Sequence, residues 1–218
     1  MIKTVAVLGG TGNEGPGLAL RWAKSGKYKV VVGSRQAEKA ERVAKELNEK
    51  LGADVITGMT NEDAVKVADL CVLTVPYSAH KSTLTGLHDL LQGKILIDVT
   101  VPLKPPKVSH VNIPPGRSAG EEAQAILGEG VRVVSAFQNV GTVHLAEDES
   151  HIDCDVLVCG DDQEVKLEVI TLAQAAGMRG IDAGPLQNAV VVEGLTSVLI
   201  GINMRHKVKG AGIRITGI

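Results

Sequence analysis

The stretch KTVAVLGGTGNEG, residues 3–15, decides the fold of this chain. Its first six residues are mostly apolar or β-branched, which is typical of a buried parallel strand. Glycines 10, 12 and 15 fit the pattern G-x-G-x-x-G of the turn between the first strand and first helix of a dinucleotide-binding unit. We expect Gly10 to make the tight turn, Gly12 to let the backbone approach a pyrophosphate, and Gly15 to let helix and strand pack closely. The N terminus of the helix would then offer free N–H groups to the phosphates.

Strands and helices alternate along the rest of the chain. The predicted strands are Lys3–Leu8, Lys29–Val32, Asp54–Ile56, Leu70–Thr74, Ile95–Asp98, Arg132–Ser135, Asp155–Cys159 and Arg179–Asp182. This rhythm predicts an α/β fold, a Rossmann-type doubly wound parallel sheet with a small C-terminal α/β portion. We expect a nucleotide-binding domain over residues 1–140 and a smaller domain over residues 141–218.

Two further segments have a distinctive composition. Five of the eight prolines lie between residues 100 and 115, which predicts a stiff loop. The last predicted helix, Gln187–His206, is apolar on almost every side, so we expect it to be buried at the interface of a homodimer. Glu193 interrupts its apolar run, which we take as too short to span a membrane.

The composition limits the classes of function. A net charge of -2 and only two Tyr, one Trp and one Phe argue against a nucleic-acid partner. The cysteines, Cys71, Cys154 and Cys159, are odd in number and lie in or beside apolar runs, which predicts reduced core residues. Because the chain begins directly with a strand, we expect no signal peptide and a cytoplasmic protein. No spacing of residues predicts a metal site.

The end of the second strand indicates which dinucleotide binds. Sites for NAD usually place an acid there to bind the ribose 2′-hydroxyl, but this chain has Ser34 and Arg35. Ser34 can bond a 2′-phosphate, Arg35 can clamp it, and Lys39 adds a cation one helical turn further on. Ser34 could instead cap the helix while Arg35 stays solvated, and the two interpretations are compatible. We therefore predict NADP.

The end of the fourth strand must lie at the crevice where such sheets bind ligands. Thr74, Val75 and Pro76 end this strand, and Ala79 follows in the next helix. We expect these residues to contact the ribose on the nicotinamide side, although Pro76 could simply turn the chain.

The sequence has no pattern that predicts hydrolysis, such as G-x-S-x-G or H-E-x-x-H. It also lacks an evident acid–base pair, which the reduction of a ketone would require. Hydride transfer between two redox cofactors needs mainly two rings held close together. We therefore predict no catalytic side chain.

Six short segments, spread over nearly the whole chain, resemble the NADPH-dependent reductases of the 8-hydroxy-5-deazaflavin coenzyme F420. They are LGGTGN (8–13), VGSR (32–35), ITGM (56–59), NEDA (61–64), VCGDD (158–162) and DAGPL (182–186). The resemblance implies reversible hydride transfer between C4 of the nicotinamide and C5 of the deazaflavin, with NADP and coenzyme F420 as cofactors.

The resemblance also implies binding residues. The residues that would hold NADP are Thr11, Gly12, Asn13, Glu14, Ser34, Arg35 and Lys39. The segment AFQNVGT, residues 136–142, would lie beside the stacked rings with Gln138, Asn139, Val140, Gly141 and Thr142, and Ala211 would lie nearby. Basic residues of the proline-rich loop and the C-terminal tail could follow the acidic tail of the deazaflavin: Lys104, Lys107, Arg205, Lys207, Lys209 and Arg214.

Two other functions remain open. One is an NADP-dependent reductase of a small imine or carbonyl compound, with Tyr77, His144 or His206 as the proton donor. The other is a non-catalytic NADP sensor, which would bind the dinucleotide without transferring hydride.

Overall fold

The computed structural model describes residues 2–146 and 151–218. Eight strands form one sheet: β1 (Lys3–Leu8), β2 (Tyr28–Ser34), β3 (Ile56–Thr60), β4 (Leu70–Leu73), β5 (Ile95–Asp98), β6 (Arg132–Ser135), β7 (Asp155–Gly160) and β8 (Arg179–Asp182). Eight α-helices are described: α1 (Gly15–Lys24), α2 (Ala37–Leu51), α3 (Asn61–Val67), α4 (Tyr77–Leu91), α5 (Ala119–Leu127), α6 (Thr142–Ala146), α7 (Gln163–Ala175) and α8 (Ala189–His206).

The strand order is β3-β2-β1-β4-β5-β6-β7-β8. Strands β1 to β6 pair in parallel, so the chain builds the sheet outward in one direction from β1 and then in the other from β4. The point of reversal lies between β1 and β4, where doubly wound sheets bind their ligands at the carboxyl ends of the strands. The predicted fold class is confirmed.

Both faces of the sheet are buried, as expected for parallel strands covered by helices. Successive residues of β1 point to opposite faces, so Val5 and Val7 join one apolar cluster while Ala6 and Leu8 join the other. Trp22 of α1 lies in the first cluster, and its indole N–H donates to the carbonyl of Leu172 at 3.0 Å.

The C-terminal part continues the same sheet. Strand β7 runs antiparallel to β6 through the pairs Val134–Gly160 and Ser135–Cys159, and β8 is parallel to β7. The division into domains at residue 140 stays a prediction. All three cysteines are buried and free, as the sequence predicted.

Strand β3 lies further along the chain than predicted. It spans Ile56–Thr60. The side-chain oxygen of Asn48 accepts from the backbone N–H groups of Val55 and Ile56, at 3.1 and 2.9 Å, so residues 54–55 form the loop before the strand. Helix α6 was not predicted, since five residues carry too little periodicity. The buried Arg21 anchors it by donating to the carbonyls of His144 and Leu145 at 2.6 and 3.4 Å.

Within a single chain, helix α8 is buried on one side only, so burial of its other sides at a homodimer interface stays a prediction. Val192 and Leu199 are buried, whereas Val191 is 64% exposed and Met204 67%. By length and composition, Leu186–His206 could cross a membrane, contrary to the prediction from its sequence, and a third of its most apolar window is buried. Core helices of globular proteins can meet the same criterion.

Glu193, the acid in this apolar helix, is 2% exposed, and its side chain contacts the start of helix α5. Its carboxyl oxygens accept hydrogen bonds from the backbone N–H groups of Ala119 and Gly120, at 2.7 and 3.1 Å. Glu193 therefore caps the N terminus of α5 and fixes α8 against α5.

Candidate active site

The glycine-rich turn joins β1 to α1. Gly9, which the sequence analysis did not single out, adopts the left-handed conformation with φ +68°, and a Cβ there would lie 2.4 Å from Cγ1 of Val75. Gly10 has an ordinary φ but a Cβ would meet the carbonyl of Val7 at 2.6 Å. The tight turn predicted for Gly10 is therefore made by Gly9, and the glycine pair was the signal in the sequence.

Two contacts hold this turn in place. A Cβ on Gly15 would lie only 2.5 Å from Cα of Gly10, which bears out the predicted close packing of helix and strand. The side-chain oxygen of Asn61 accepts from the N–H of Gly9 at 3.1 Å. Asn61 is 5% exposed and was missed as a site residue because it also begins α3. Above Gly12, a Cβ would make only ordinary contacts, at 3.6 Å or more, so the turn is open to a ligand there.

The end of β2 presents the residues predicted to select NADP. Ser34 is buried, and its hydroxyl accepts from the N–H of Gln36 at 3.3 Å. Gln36, not Ser34, is the N-cap of α2. Arg35 and Lys39 are exposed, and their side chains make no ion pair with another described residue. Both cations thus remain free to bind an anion.

A cleft of about 660 Å³ opens at the carboxyl ends of the central strands. The predicted site residues that line it are Gly12, Asn13, Glu14, Thr74, Val75, Pro76, Gln138, Asn139, Val140, Gly141, Thr142 and Ala211. The predicted residues that do not line it are Gly10, Thr11, Ser34, Arg35, Lys39 and Ala79. Ser34, Arg35 and Lys39 lie beyond it at β2 and the start of α2, where a dinucleotide would extend its adenosine half.

Sequence reasoning missed eight residues of the cleft wall: Val99, Thr100, Val101, Leu103, Thr196, Leu199, Ile200 and Asn203. Four of them belong to α8, which the sequence suggested only as an interface helix. The spacing of Thr196 and Asn203, two polar residues seven positions apart on an apolar helix, was a usable signal, since that spacing places both on one face.

Contacts from α8 organise the cleft. The hydroxyl of Thr196 donates to the carbonyl of Gln138 at 2.8 Å. The side-chain oxygen of Asn203 accepts from the N–H of Ala211 at 2.9 Å, which holds the C-terminal tail over the cleft.

The segment after β6 forms the floor of the cleft. Phe137 takes a left-handed backbone with φ +75°, which is unfavourable for a bulky residue. Its fully buried ring packs edge-on against Trp22 with 5.8 Å between centroids, and this packing offsets the strain. The turn directs the chain into Gln138 and Asn139, which are 3% and 2% exposed.

Both amides have a fixed orientation. The side-chain nitrogen of Gln138 donates to the carbonyl of Asp98 and the hydroxyl of Ser135, each at 2.7 Å. That of Asn139 donates to the carbonyl of Asp155 at 2.6 Å. The two side-chain oxygens are buried and have no partner among the described residues. Buried acceptors without donors are uncommon, and these two oxygens lie below the surface of the cleft.

The titratable groups near the cleft include one unusual carboxyl. Burial raises the pKa of Glu14 to about 8. This shift reduces the negative charge that the side chain places beside the N terminus of α1.

None of the three proton donors suggested by the sequence lines the cleft. Tyr77 donates to the carboxylate of Glu122 at 2.9 Å, and burial together with this acid raises its pKa to about 12. His144 bonds the carbonyl of Gly210 at 2.8 Å. His206 is exposed at the end of α8.

Of the expected basic path, only Lys209 lines the cleft. Arg214 forms ion pairs with Asp153 and Asp155, so its charge is already paired within the chain.

The buried Asp155 anchors that tail. Its carboxylate accepts two bonds from Arg179, at 2.9 and 2.7 Å, and one from the N–H of Ile215 at 2.6 Å. Its N–H donates to the carbonyl of Ile213 at 2.7 Å. Since its own carbonyl holds Asn139, this one residue connects the tail with the floor of the cleft.

The reversed strand order, the glycine turn and the cleft at the carboxyl ends of the strands define a Rossmann-type dinucleotide-binding fold. Residues 4–102 match the family model described as NADP oxidoreductase, coenzyme F420-dependent. The chain is 45% identical to the F420-dependent NADP reductase of Methanocaldococcus jannaschii over 98% of each chain. It is 40% identical to that of Methanothermobacter thermautotrophicus, over 100% of this chain and 97% of the relative. The chain therefore belongs to the family of F420-dependent NADP reductases.

Solved structures share the fold. A crystal structure from Arthrobacter sp. FB24, provisionally assigned as an F420-dependent NADP reductase, has a TM-score of 0.82 at 24% identity and covers 99% of this chain and 100% of that one. A pyrroline-5-carboxylate reductase from Coxiella burnetii has a TM-score of 0.62 at 17% identity, over 94% of this chain and 69% of that one. At these identities the likeness is one of fold.

We expect the pH dependence of stability to report the Asp155 anchor. The pKa of the Asp155 carboxyl is lowered, chiefly by the hydrogen bonds from Arg179. Burial acts in the opposite direction, but the bond from Ile215 and the positive charges of Arg179 and Arg214 lower the pKa further. A lowered pKa stabilises the folded chain fully above the unfolded pKa of about 3.9 and loses that contribution as pH falls through the folded value. Asp155→Asn should therefore cost about 1.5–3 kcal/mol near neutral pH.

Thermal unfolding of the wild type and of Asp155→Asn, followed by circular dichroism across the acid range, checks this. The gap between their Tm values should be constant above about pH 5 and close below it. Asp89→Asn is the control, since that side chain is fully exposed. A gap that does not change with pH would contradict the assignment.

Proposed function

We propose that this protein transfers hydride reversibly between NADP(H) and coenzyme F420. The observation that carries the proposal is the 45% identity, over nearly the full length of both chains, to a relative named as an F420-dependent NADP reductase. In this reaction a hydride passes between C4 of the nicotinamide and C5 of the deazaflavin; reduction of the deazaflavin by NADPH also takes up one proton and leaves NADP⁺.

The described residues suit the two halves of NADP. The open backbone at Gly12 and the N terminus of α1 would bind the pyrophosphate. Ser34, Arg35 and Lys39 would bind the 2′-phosphate, because one hydroxyl and two free cations lie where an acid would select NAD.

The inner half of the cleft suits the two rings. The volume of the whole cleft, about 660 Å³, falls within the range of sites for drug-sized molecules. Residues 74–76, with Ala79 behind them, would contact the ribose of the nicotinamide nucleotide. The segment Gln138–Thr142 and Ala211 would flank the rings and exclude water.

The arrangement needs no catalytic side chain, because the chain would act by holding the two rings close together. Reduction of an imine or carbonyl compound would need a proton donor at the developing charge. Tyr77, His144 and His206 lie outside the cleft lining, which disfavours this alternative.

The finer properties belong to the same proposal. We infer a cytoplasmic enzyme with an NADP-binding domain over residues 1–140 and a smaller C-terminal domain over residues 141–218, using small-molecule cofactors and neither nucleic acid nor membrane.

Mixing the protein with NADPH and oxidised F420 tests the function directly. We expect the absorbance of the oxidised deazaflavin to disappear with saturation kinetics in both cofactors. Turnover of an imine or ketone without turnover of F420 would favour the alternative reductase. Binding of NADPH without turnover of any acceptor would favour a sensor.

Arg35→Ala should weaken binding of NADPH by about 10- to 100-fold, the cost of one or two charge-assisted bonds to a phosphate. Binding of NADH should change little, because NADH has no 2′-phosphate. Isothermal titration calorimetry of both dinucleotides checks this. Arg42→Ala is the matched control, since Arg42 is exposed on α2, the helix that follows Arg35, and pairs with Glu46. Equal losses for NADPH and NADH would refute the assignment.

We infer a homodimer from the apolar surface on α8. Val191 and Val198 lie seven residues apart and are 64% and 43% exposed, so they share one face of the helix. Val111 of the proline-rich loop packs beside Gly194 and is itself 49% exposed, which extends the patch. Burial of this patch would also meet the expectation of an interface helix.

Light scattering at micromolar concentration should give twice the mass of one chain, and Val191→Glu should shift the distribution toward a single chain. A wild-type protein with the mass of one chain would contradict the dimer.

A further inference from the structure

His80 and Asp98 form a buried ion pair that the proposed binding scheme does not use. Nε2 of His80 lies 2.7 Å from Oδ2 of Asp98, and the two side chains are 1% and 0% exposed. Neither residue lines the cleft. Burying a carboxylate costs free energy unless all its hydrogen bonds are satisfied. We therefore expect this buried pair to contribute to the site.

Asp98 connects three elements at the carboxyl end of β5. Its Oδ2 faces His80 of α4, and its Oδ1 accepts from the N–H of Thr100 at 2.9 Å. Its backbone carbonyl accepts from the side-chain amide of Gln138 at 2.7 Å. Thr100 and Gln138 both line the cleft, so the position of Asp98 sets the position of two walls.

His80 is itself held on the side away from Asp98. Its ring stacks on Tyr77 with 6.0 Å between centroids, and Tyr77 is fixed by its bond to Glu122. Burial lowers the pKa of His80, but the bond to Asp98 and the charges of Asp98 and Glu122 together raise it above its ordinary value. The other acid near Asp98 is Glu193, which caps α5.

We propose that His80 is a positioning residue for hydride transfer, acting through Asp98 to fix the amide of Gln138 and the backbone of Thr100 against the rings. The inference rests on the proposed function. Without the imidazole, Oδ2 of Asp98 loses its donor in a water-excluded site, so the carboxylate must protonate, rotate or admit water. Each response weakens or redirects the bond from the N–H of Thr100 to Oδ1 of Asp98, and Thr100 lines the cleft beside Gln138.

The effect should fall on the rate rather than on dinucleotide affinity. The adenosine and phosphate contacts proposed for NADP lie at β2 and α1, away from this pair, whereas small displacements of reacting groups reduce rates strongly. His80→Leu should therefore slow single-turnover hydride transfer from NADPH to F420 by about 10- to 100-fold. The Kd of NADPH should stay within about twofold of the wild type, a difference well below 1.4 kcal/mol.

His80→Gln provides the conservative variant. The amide nitrogen of glutamine can occupy the position of Nε2 and donate to Asp98, so this variant should recover most of the lost rate. His88→Leu is the matched control: His88 lies on the same helix, pairs with an adjacent acid and is 42% exposed. Its rate should equal that of the wild type.

The experiment measures single-turnover rates by stopped flow, the Kd of NADPH by calorimetry and Tm for each variant. If His80→Leu does not fold, His80→Asn replaces it, because its shorter amide cannot reach Asp98, and the same loss of rate is expected. A folded His80→Leu or His80→Asn with the wild-type rate would overturn the proposal. So would parallel losses of rate, affinity and Tm without recovery in His80→Gln, which indicate a purely structural pair. A wild-type protein without F420 turnover would instead refute the proposed function.

Discussion

The approach of α1 to β1 is the constraint on which the site depends. Helix and strand come so close that a single methyl group on Gly15 would overlap the backbone of Gly10. This contact places the first turn of α1, with its unbonded N–H groups, at the edge of the cleft. The neighbouring strands then bring residues after β4, β5 and β6 to the same edge, because parallel strands all end on one side of the sheet.

The floor of the cleft is polar, yet its two amide side chains are almost completely buried. Gln138 and Asn139 give their N–H groups to backbone carbonyls of Asp98 and Asp155, while their side-chain oxygens are buried without a partner among the described residues. Neither amide can turn over without breaking those bonds. A site whose groups are oriented before a ligand arrives loses less entropy on binding and needs less reorganisation during reaction.

Much of this arrangement could be predicted from the sequence. The glycine spacing, the alternation of strands and helices, and the pair Ser34–Arg35 are local signals, because each depends on residues that are close in the chain. Twelve predicted residues line the cleft. Gly12, Thr74, Val75 and Pro76 follow strands whose ends had been located, whereas the other eight were implied by the resemblance to a known family.

The residues that were missed depend on tertiary packing. Asn61 and the left-handed Gly9 meet only when α3 folds beside β1. Helix α8 carried an apolar pattern that fits an interface and a cleft wall equally well, and only the folded chain distinguishes its two sides. The His80–Asp98 pair joins residues 18 positions apart, with no motif to connect them.

Phe137 illustrates how such a site restricts sequence change. Glycine would accept the left-handed backbone without strain but would leave an empty volume beside Trp22, while a β-branched residue would neither fit the backbone nor reach that ring. Selection at this position therefore has to satisfy two opposed requirements in one side chain. Residue 137 should therefore change slowly in evolution. A substitution there should be accompanied by a compensating substitution at residue 22 sooner than at a residue that lines the cleft.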